Sequence, residues 1–138
     1  MKRIFTNGCF DILHVGHVRL LKKAKSLGDH LIVGLNSDNS VKENKGNSRP
    51  INLENDRKEM LLSLESVDTV IIFDDKTPCE LIKRIKPNVI VKGGDYDPND
   101  FTSMPEAKIV KEYGGEVFIY PLVENKSTTN VIEKLRRK

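Results

Sequence analysis

Thr6-Asn7-Gly8-Cys9-Phe10-Asp11-Ile12-Leu13-His14-Val15-Gly16-His17 sets a strand end, a glycine turn and two histidines within twelve residues. Before it, Arg3, Ile4 and Phe5 give a short apolar strand signal. Beyond it, Val18, Leu20, Leu21, Ala24 and Leu27 recur at helical spacing up to Gly28, a residue suited to a helix C-terminus. The stretch therefore reads as a strand-to-helix turn. A helix opening near Val15 or Gly16 aims unpaired N–H groups and its positive dipole end into that turn, which suits an anion such as phosphate. Gly8 and Gly16 let the backbone come close to it.

His14 and His17 are three apart, so at one helix mouth they share a face and reach one ligand together. Three roles are open to such a pair. A zinc site needs more ligands than H-x-x-H supplies, and Cys9 stands in the turn without a partner. Capping or packing is the structural role. Donation of hydrogen bonds to phosphate oxygens, as charge moves in a transition state, is the functional one, and the anion-suited turn favours it.

Outward from the turn, strand and helix signals alternate. His30-Leu31-Ile32-Val33-Gly34-Leu35-Asn36 is a continuous apolar strand of the kind covered on both faces, and it closes a β-α-β unit. Asp38, just after it, either orients nearby backbone or reaches a ligand. Residues 40–52 are polar and without strong periodicity, so a long loop is expected there. Its Lys42, Lys45 and Arg49 could fold over a triphosphate. Residues 54–64 form a second helix, with Asn52 as its cap and Met60, Leu61 and Leu64 on one side. A third strand covers 67–73, and the next helix opens near Thr77 and Pro78 with proline at its first position. Asp74 and Asp75 favour that helix's N-terminus and stay outside the site. A fourth strand, 88–91, runs into Lys92-Gly93-Gly94-Asp95-Tyr96, where two glycines leave N–H groups free for a base or sugar. A helix over 104–113 and a strand over 116–120 follow. Ser127, Thr128 and Thr129 then stand before a closing helix, as its cap or as phosphate donors.

The alternation predicts one α/β domain over 1–138, an open parallel sheet with helices on both faces and its ligand at the strands' carboxyl ends. A chain of 138 residues can bury roughly two-thirds of its unfolded surface. Hydrophobic residues make up 38% and charged residues 31%, and no apolar run approaches a membrane span. No signal peptide is read at Met1-Lys2-Arg3, and two unpatterned cysteines, Cys9 and Cys79, fit a reducing cytoplasm. The net charge of +3 suits a small polyanion and is too weak to argue for nucleic acid.

The run Gly8-Cys9-Phe10-Asp11-Ile12-Leu13-His14-Val15-Gly16-His17 resembles the signature of the nucleotidylyltransferase superfamily, whose H-x-G-H turn holds the phosphates of a nucleoside triphosphate. Val41-Lys42-Glu43-Asn44-Lys45-Gly46 and Lys92-Gly93-Gly94-Asp95-Tyr96 narrow the resemblance to the heptose 1-phosphate adenylyltransferase domain of ADP-heptose synthesis, over essentially the whole chain. The resemblance implies a Rossmann-like sheet in the order 3-2-1-4-5. It implies in-line attack by a sugar phosphate on the α-phosphorus of ATP, with pyrophosphate leaving and magnesium arriving on the triphosphate. His14, His17 and Lys45 would be catalytic. Thr6, Asn7, Gly8, Cys9, Phe10, Gly16, Lys92, Gly93, Gly94, Asp95, Ser127, Thr128 and Thr129 would surround the nucleotide. Asp11, Lys42 and Tyr96 would face the second substrate, with bracing of the turn as the alternative for Asp11. No protein-held metal, nucleic acid or membrane partner is implied, and a homodimer is compatible with the pattern. The alternative chemistry is a cytidylyltransferase using CTP and glycerol 3-phosphate, or another small phosphate ester. Against it, Glu124-Asn125-Lys126 replaces the arginine-bearing form that this branch carries before its S-T-T. A non-catalytic nucleotide-binding module would be expected to have lost one of His14, His17 and Lys45.

Overall fold

The computed structural model describes residues 1–94, 97, 99–101 and 104–121. Five strands and five helices follow one another: β1 (Arg3–Gly8), α1 (Val15–Ser26), β2 (His30–Asn36), α2 (Asp38–Lys45), α3 (Glu54–Leu62), β3 (Thr69–Phe73), α4 (Cys79–Ile85), β4 (Val89–Gly93), α5 (Pro105–Glu112) and β5 (Glu116–Tyr120). The strands form one sheet in the order β3-β2-β1-β4-β5, parallel at every pairing. The expected order is the observed one. Chain direction across the sheet reverses between β1 and β4, so the turns that leave these two strands face a common crevice.

Period-two alternation divides the strand residues between two cores. Ile4, Leu31, Val33, Leu35, Val70, Val89 and Val91 pack on one face with Leu21 and Ala24 of α1 and Leu61 of α3. Phe5, Ile32, Phe73 and Ile90 pack on the other with Leu81 and Ile82 of α4 and Ala107 and Val110 of α5. Helices thus cover both faces, which is why β2 can be apolar at nearly every position. Gly34 in β2 is required by packing: a Cβ there would lie 2.6 Å from Cζ of Phe5.

Four local expectations are corrected. The segment expected to be a loop over 40–52 is helical as far as Lys45. Its only buried residues are Ser40 and Val41, so it lacks the apolar period that marks a helix. It forms instead on polar terms. Ser37 Oγ accepts from Ser40 N at 3.2 Å, Asp38 lies in the first turn, Lys42 and Lys45 lie in the last, and Gly46 closes it at φ 96°. Asn52 does not cap α3. Leu53 is the N-cap residue, and the Asn52 side chain donates to Asp11 O at 2.5 Å. Met60 points to solvent while Leu61 is buried. Pro78 sits at the cap of α4 rather than inside it.

Candidate active site at the ends of β1 and β4

The strand-to-helix turn is built by backbone demands on its side chains. Phe10 adopts φ 46°, a left-handed conformation that costs a non-glycine residue of order 1 kcal/mol or more. Its buried ring is held over Gly8, where a Cβ would come within 2.9 Å of Cε2, and lies 5.0 Å from the His17 ring. His14 is the N-cap residue of α1, and its Nδ1 accepts from Gly16 N at 3.0 Å. His17 Nδ1 accepts in turn from His14 N at 3.3 Å, and the two imidazoles stack with centroids 3.8 Å apart. The capping role and the ligand-binding role are therefore not alternatives. Each Nδ1 accepts a backbone N–H, so each neutral ring carries its proton on Nε2 and presents a donor there. Burial, with His14 adding to it, lowers the pKa of His17 to about 4, which keeps that donor neutral at physiological pH. The N–H of Gly16, expected to face the anion, is taken by His14.

Asp11, expected at the second substrate, is buried and braces the turn instead. Its Oδ2 accepts from Arg49 Nε at 2.8 Å, and its carboxylate also accepts from Ile51 N and Asn52 N at 2.8 Å. Burial by itself would raise this carboxyl. The N–H groups of Asn52 and Ile51, with Arg49, outweigh it and hold the group below its usual range. Arg49, expected to close over phosphates, is buried against this carboxylate. Thr6 is likewise internal, with its hydroxyl donating to Val91 O at 2.8 Å and joining β1 to β4.

Across the crevice, Lys92 of β4 lies 2.9 Å from Glu106 Oε2 and donates to Asn7 Oδ1 at 3.2 Å. Gly94, at φ 126°, donates its N–H to Tyr120 O at 3.0 Å, so that group is not left for a ligand as expected. Gly93 is paired in register with Tyr120. Lys42 and Lys45 are exposed on α2. The positive charge of Lys45, with those of Arg57 and Arg49, favours the thiolate of Cys9. Burial is the larger influence and pushes Cys9 up, so the group stays a thiol, and nothing marks it as a nucleophile. Asp95, Tyr96, Ser127, Thr128, Thr129 and the closing helix lie outside the described residues.

Two participants escaped the sequence. Arg57 is fully buried, and Glu106 is buried beside Lys92. Their signals are a charged residue in the helical period of buried positions and an acidic residue in the first turn of α5. Either pattern is common on solvent-facing helices. The donors gathered here, imidazole Nε2–H and ammonium, suit phosphate oxygens rather than a cation. Among the described residues no three His, Cys, Asp or Glu side chains converge as a metal site, and no helix is long and apolar enough to cross a membrane.

Known proteins share this sequence and fold. The Bifunctional protein HldE of Aliarcobacter butzleri is 54% identical over 98% of this chain, and that of Nitratiruptor sp. is 55% identical over 96%. This chain spans only 27% of the length of each of those relatives. A crystal structure of the lipopolysaccharide core biosynthesis protein from Thermoplasma volcanium superposes with a TM-score of 0.70 at 32% identity, covering 89% of this chain and 97% of that one. The family model described as cytidylyltransferase-like matches residues 5–134, and with the H-x-G-H turn at the sheet's reversal point the chain belongs to the cytidylyltransferase-like family.

Proposed function

We propose that this protein transfers the adenylyl group of ATP to a heptose 1-phosphate, giving ADP-heptose and pyrophosphate. The observation that carries the reading is the pair of backbone-keyed imidazoles, His14 and His17, presenting neutral Nε2–H donors at the N-terminus of α1. A sugar phosphate is already a nucleophile, so catalysis reduces to alignment and charge stabilisation. One phosphate oxygen attacks the α-phosphorus in line, and the bond to the pyrophosphate oxygen breaks. His14 and His17 donate to bridging and α-phosphate oxygens as negative charge grows there, and Lys45 adds a cation from α2. Lys92 at the end of β4, bonded to Asn7 of β1, supplies a second cation at the neighbouring strand end. Magnesium would arrive on the triphosphate, held by its oxygens and by water, and would supply neutralisation of phosphate charge. Support for the heptose acceptor comes from the near-complete coverage of this chain by relatives named HldE, together with the Lys92-Gly93-Gly94-Asp95-Tyr96 run. Pyrophosphate release across four nucleoside triphosphates and several sugar phosphates tests it. ATP with heptose 1-phosphate is expected to dominate, and a preference for CTP with glycerol 3-phosphate would overturn the assignment of substrate.

A further inference from the structure

We propose that Arg57 is a positioning residue that sets Lys45 for adenylyl transfer, by locking helix α2 to the turn that bears His14 and His17. This rests on the function proposed above. The Arg57 side chain is 0% exposed, and its donors meet acceptors from four separate segments. Nη1 donates to Cys9 O in the turn after β1 at 2.8 Å and to Asn36 O at the end of β2 at 2.7 Å. Nε donates to Asn52 O ahead of α3 at 2.9 Å, and Nη2 to Asp38 Oδ1, at the first residue of α2, at 2.8 Å. Asp38 and Glu54 reinforce that anchor by exchanging hydrogen bonds, Glu54 N to Asp38 Oδ1 at 2.9 Å and Asp38 N to Glu54 Oε1 at 3.0 Å.

The helix itself carries the consequence to the site. Asp38 and Lys45 are its first and last residues, seven apart, which is nearly two full turns and about 10 Å of rise. The face that offers Asp38 to Arg57 is therefore the face that offers Lys45, and the Lys45 charge is felt at Cys9, whose carbonyl Arg57 holds. Apolar packing does little to fix α2, since Val41 is its one buried apolar residue. A rigid planar fork can satisfy acceptors in several directions at once, whereas a lysine at this position keeps the charge and loses the fork. Arg57 touches no substrate on this account and acts through Lys45.

A double-mutant cycle tests the proposal, with kcat and KM measured for wild type, Arg57→Lys, Lys45→Ala and the double variant. Arg57→Lys is expected to lower kcat by about tenfold or more in the wild-type background and to add little to Lys45→Ala. Multiplicative losses would overturn the proposal. Asp38→Ala, which removes the acceptor that ties α2 to Arg57 and Glu54, repeats the cycle should Arg57→Lys fail to fold. A second readout needs no catalysis: the pH dependence of Cys9 alkylation in a Cys79→Ser background. Lys45→Ala should raise the Cys9 titration, and Asp38→Ala should move it the same way, whereas loss of an anion by itself would lower it. An unchanged or lowered titration would overturn the placement of Lys45. Absence of adenylyl transfer in the wild type would instead strike the proposed function and leave the thiol result interpretable.

Discussion

The two turns that face each other across the reversal point are held in different ways. The turn after β1 is fixed from several sides: Asp11 is closed by Arg49, Ile51 and Asn52, the carbonyl of Cys9 by Arg57, and the rings of His14 and His17 by the N–H groups of Gly16 and His14. Among its described residues, the turn after β4 is held by the Lys92 contacts with Glu106 and Asn7 and by the bond from Gly94 N to Tyr120 O. Rigid donors belong where charge develops, because their orientation is then complete before reaction. A side-chain ion pair beside them can exchange partners when a ligand arrives. On the proposed function, that rigidity suits the first turn for the chemistry.

Removing the brace should break the contrast most severely. Asp11→Ala leaves Arg49 and two backbone N–H groups without their acceptor, and about 3–5 kcal/mol of stability should be lost in urea unfolding. A loss below ~1 kcal/mol would mean that the first turn is not held in this way. His14→Ala and His17→Ala follow, each lowering kcat by about 10²-fold to 10³-fold, the size expected for one preorganised donor. Because His14 also caps α1, its replacement should cost about 1 kcal/mol of stability as well. Near-normal turnover in both variants would move the chemistry elsewhere.

Acid unfolding sharpens the same comparison. His17 has its folded pKa lowered to about 4 from 6.5, so the unfolded chain takes up the proton first. Its contribution is complete above pH 6.5 and falls as pH drops toward 4, by about 1–2 kcal/mol at pH 5. His17→Ala should flatten the stability curve in that window. Asp11 and Asp68, both held below their usual values, contribute mainly below the 3.8 of a free carboxyl and meet this window only at its acid end. The smallest effect is expected from Glu106→Gln, which keeps an acceptor beside Lys92 and removes the charge. About 1 kcal/mol of stability and a few-fold change in KM for ATP should result, with kcat little changed. A loss as large as that of Asp11→Ala would erase the distinction between the two turns.

Residues whose partners lie nearby in the chain were readable from the sequence alone. The His14–His17 pair, the helix it opens, the apolar run of β2 and the five-fold alternation follow from spacing within one element, where periodicity and backbone geometry act over a few residues. Helix α2 was not readable, because it stands on a cap, dipole-matched charges and anchors from distant residues rather than on an apolar stripe. Thr6, Asp11, Arg49 and Arg57 were misjudged or passed over for a related reason. Their partners sit between 5 and 85 residues away, and a charged side chain in a helical or loop sequence looks the same whether it meets water or a buried carboxylate. Composition and spacing determined that a phosphate-suited turn would lie at a sheet's carboxyl end. Which polar groups stay open to a ligand was decided only by tertiary structure, because a buried donor or acceptor takes whatever partner the packed fold brings within hydrogen-bond reach.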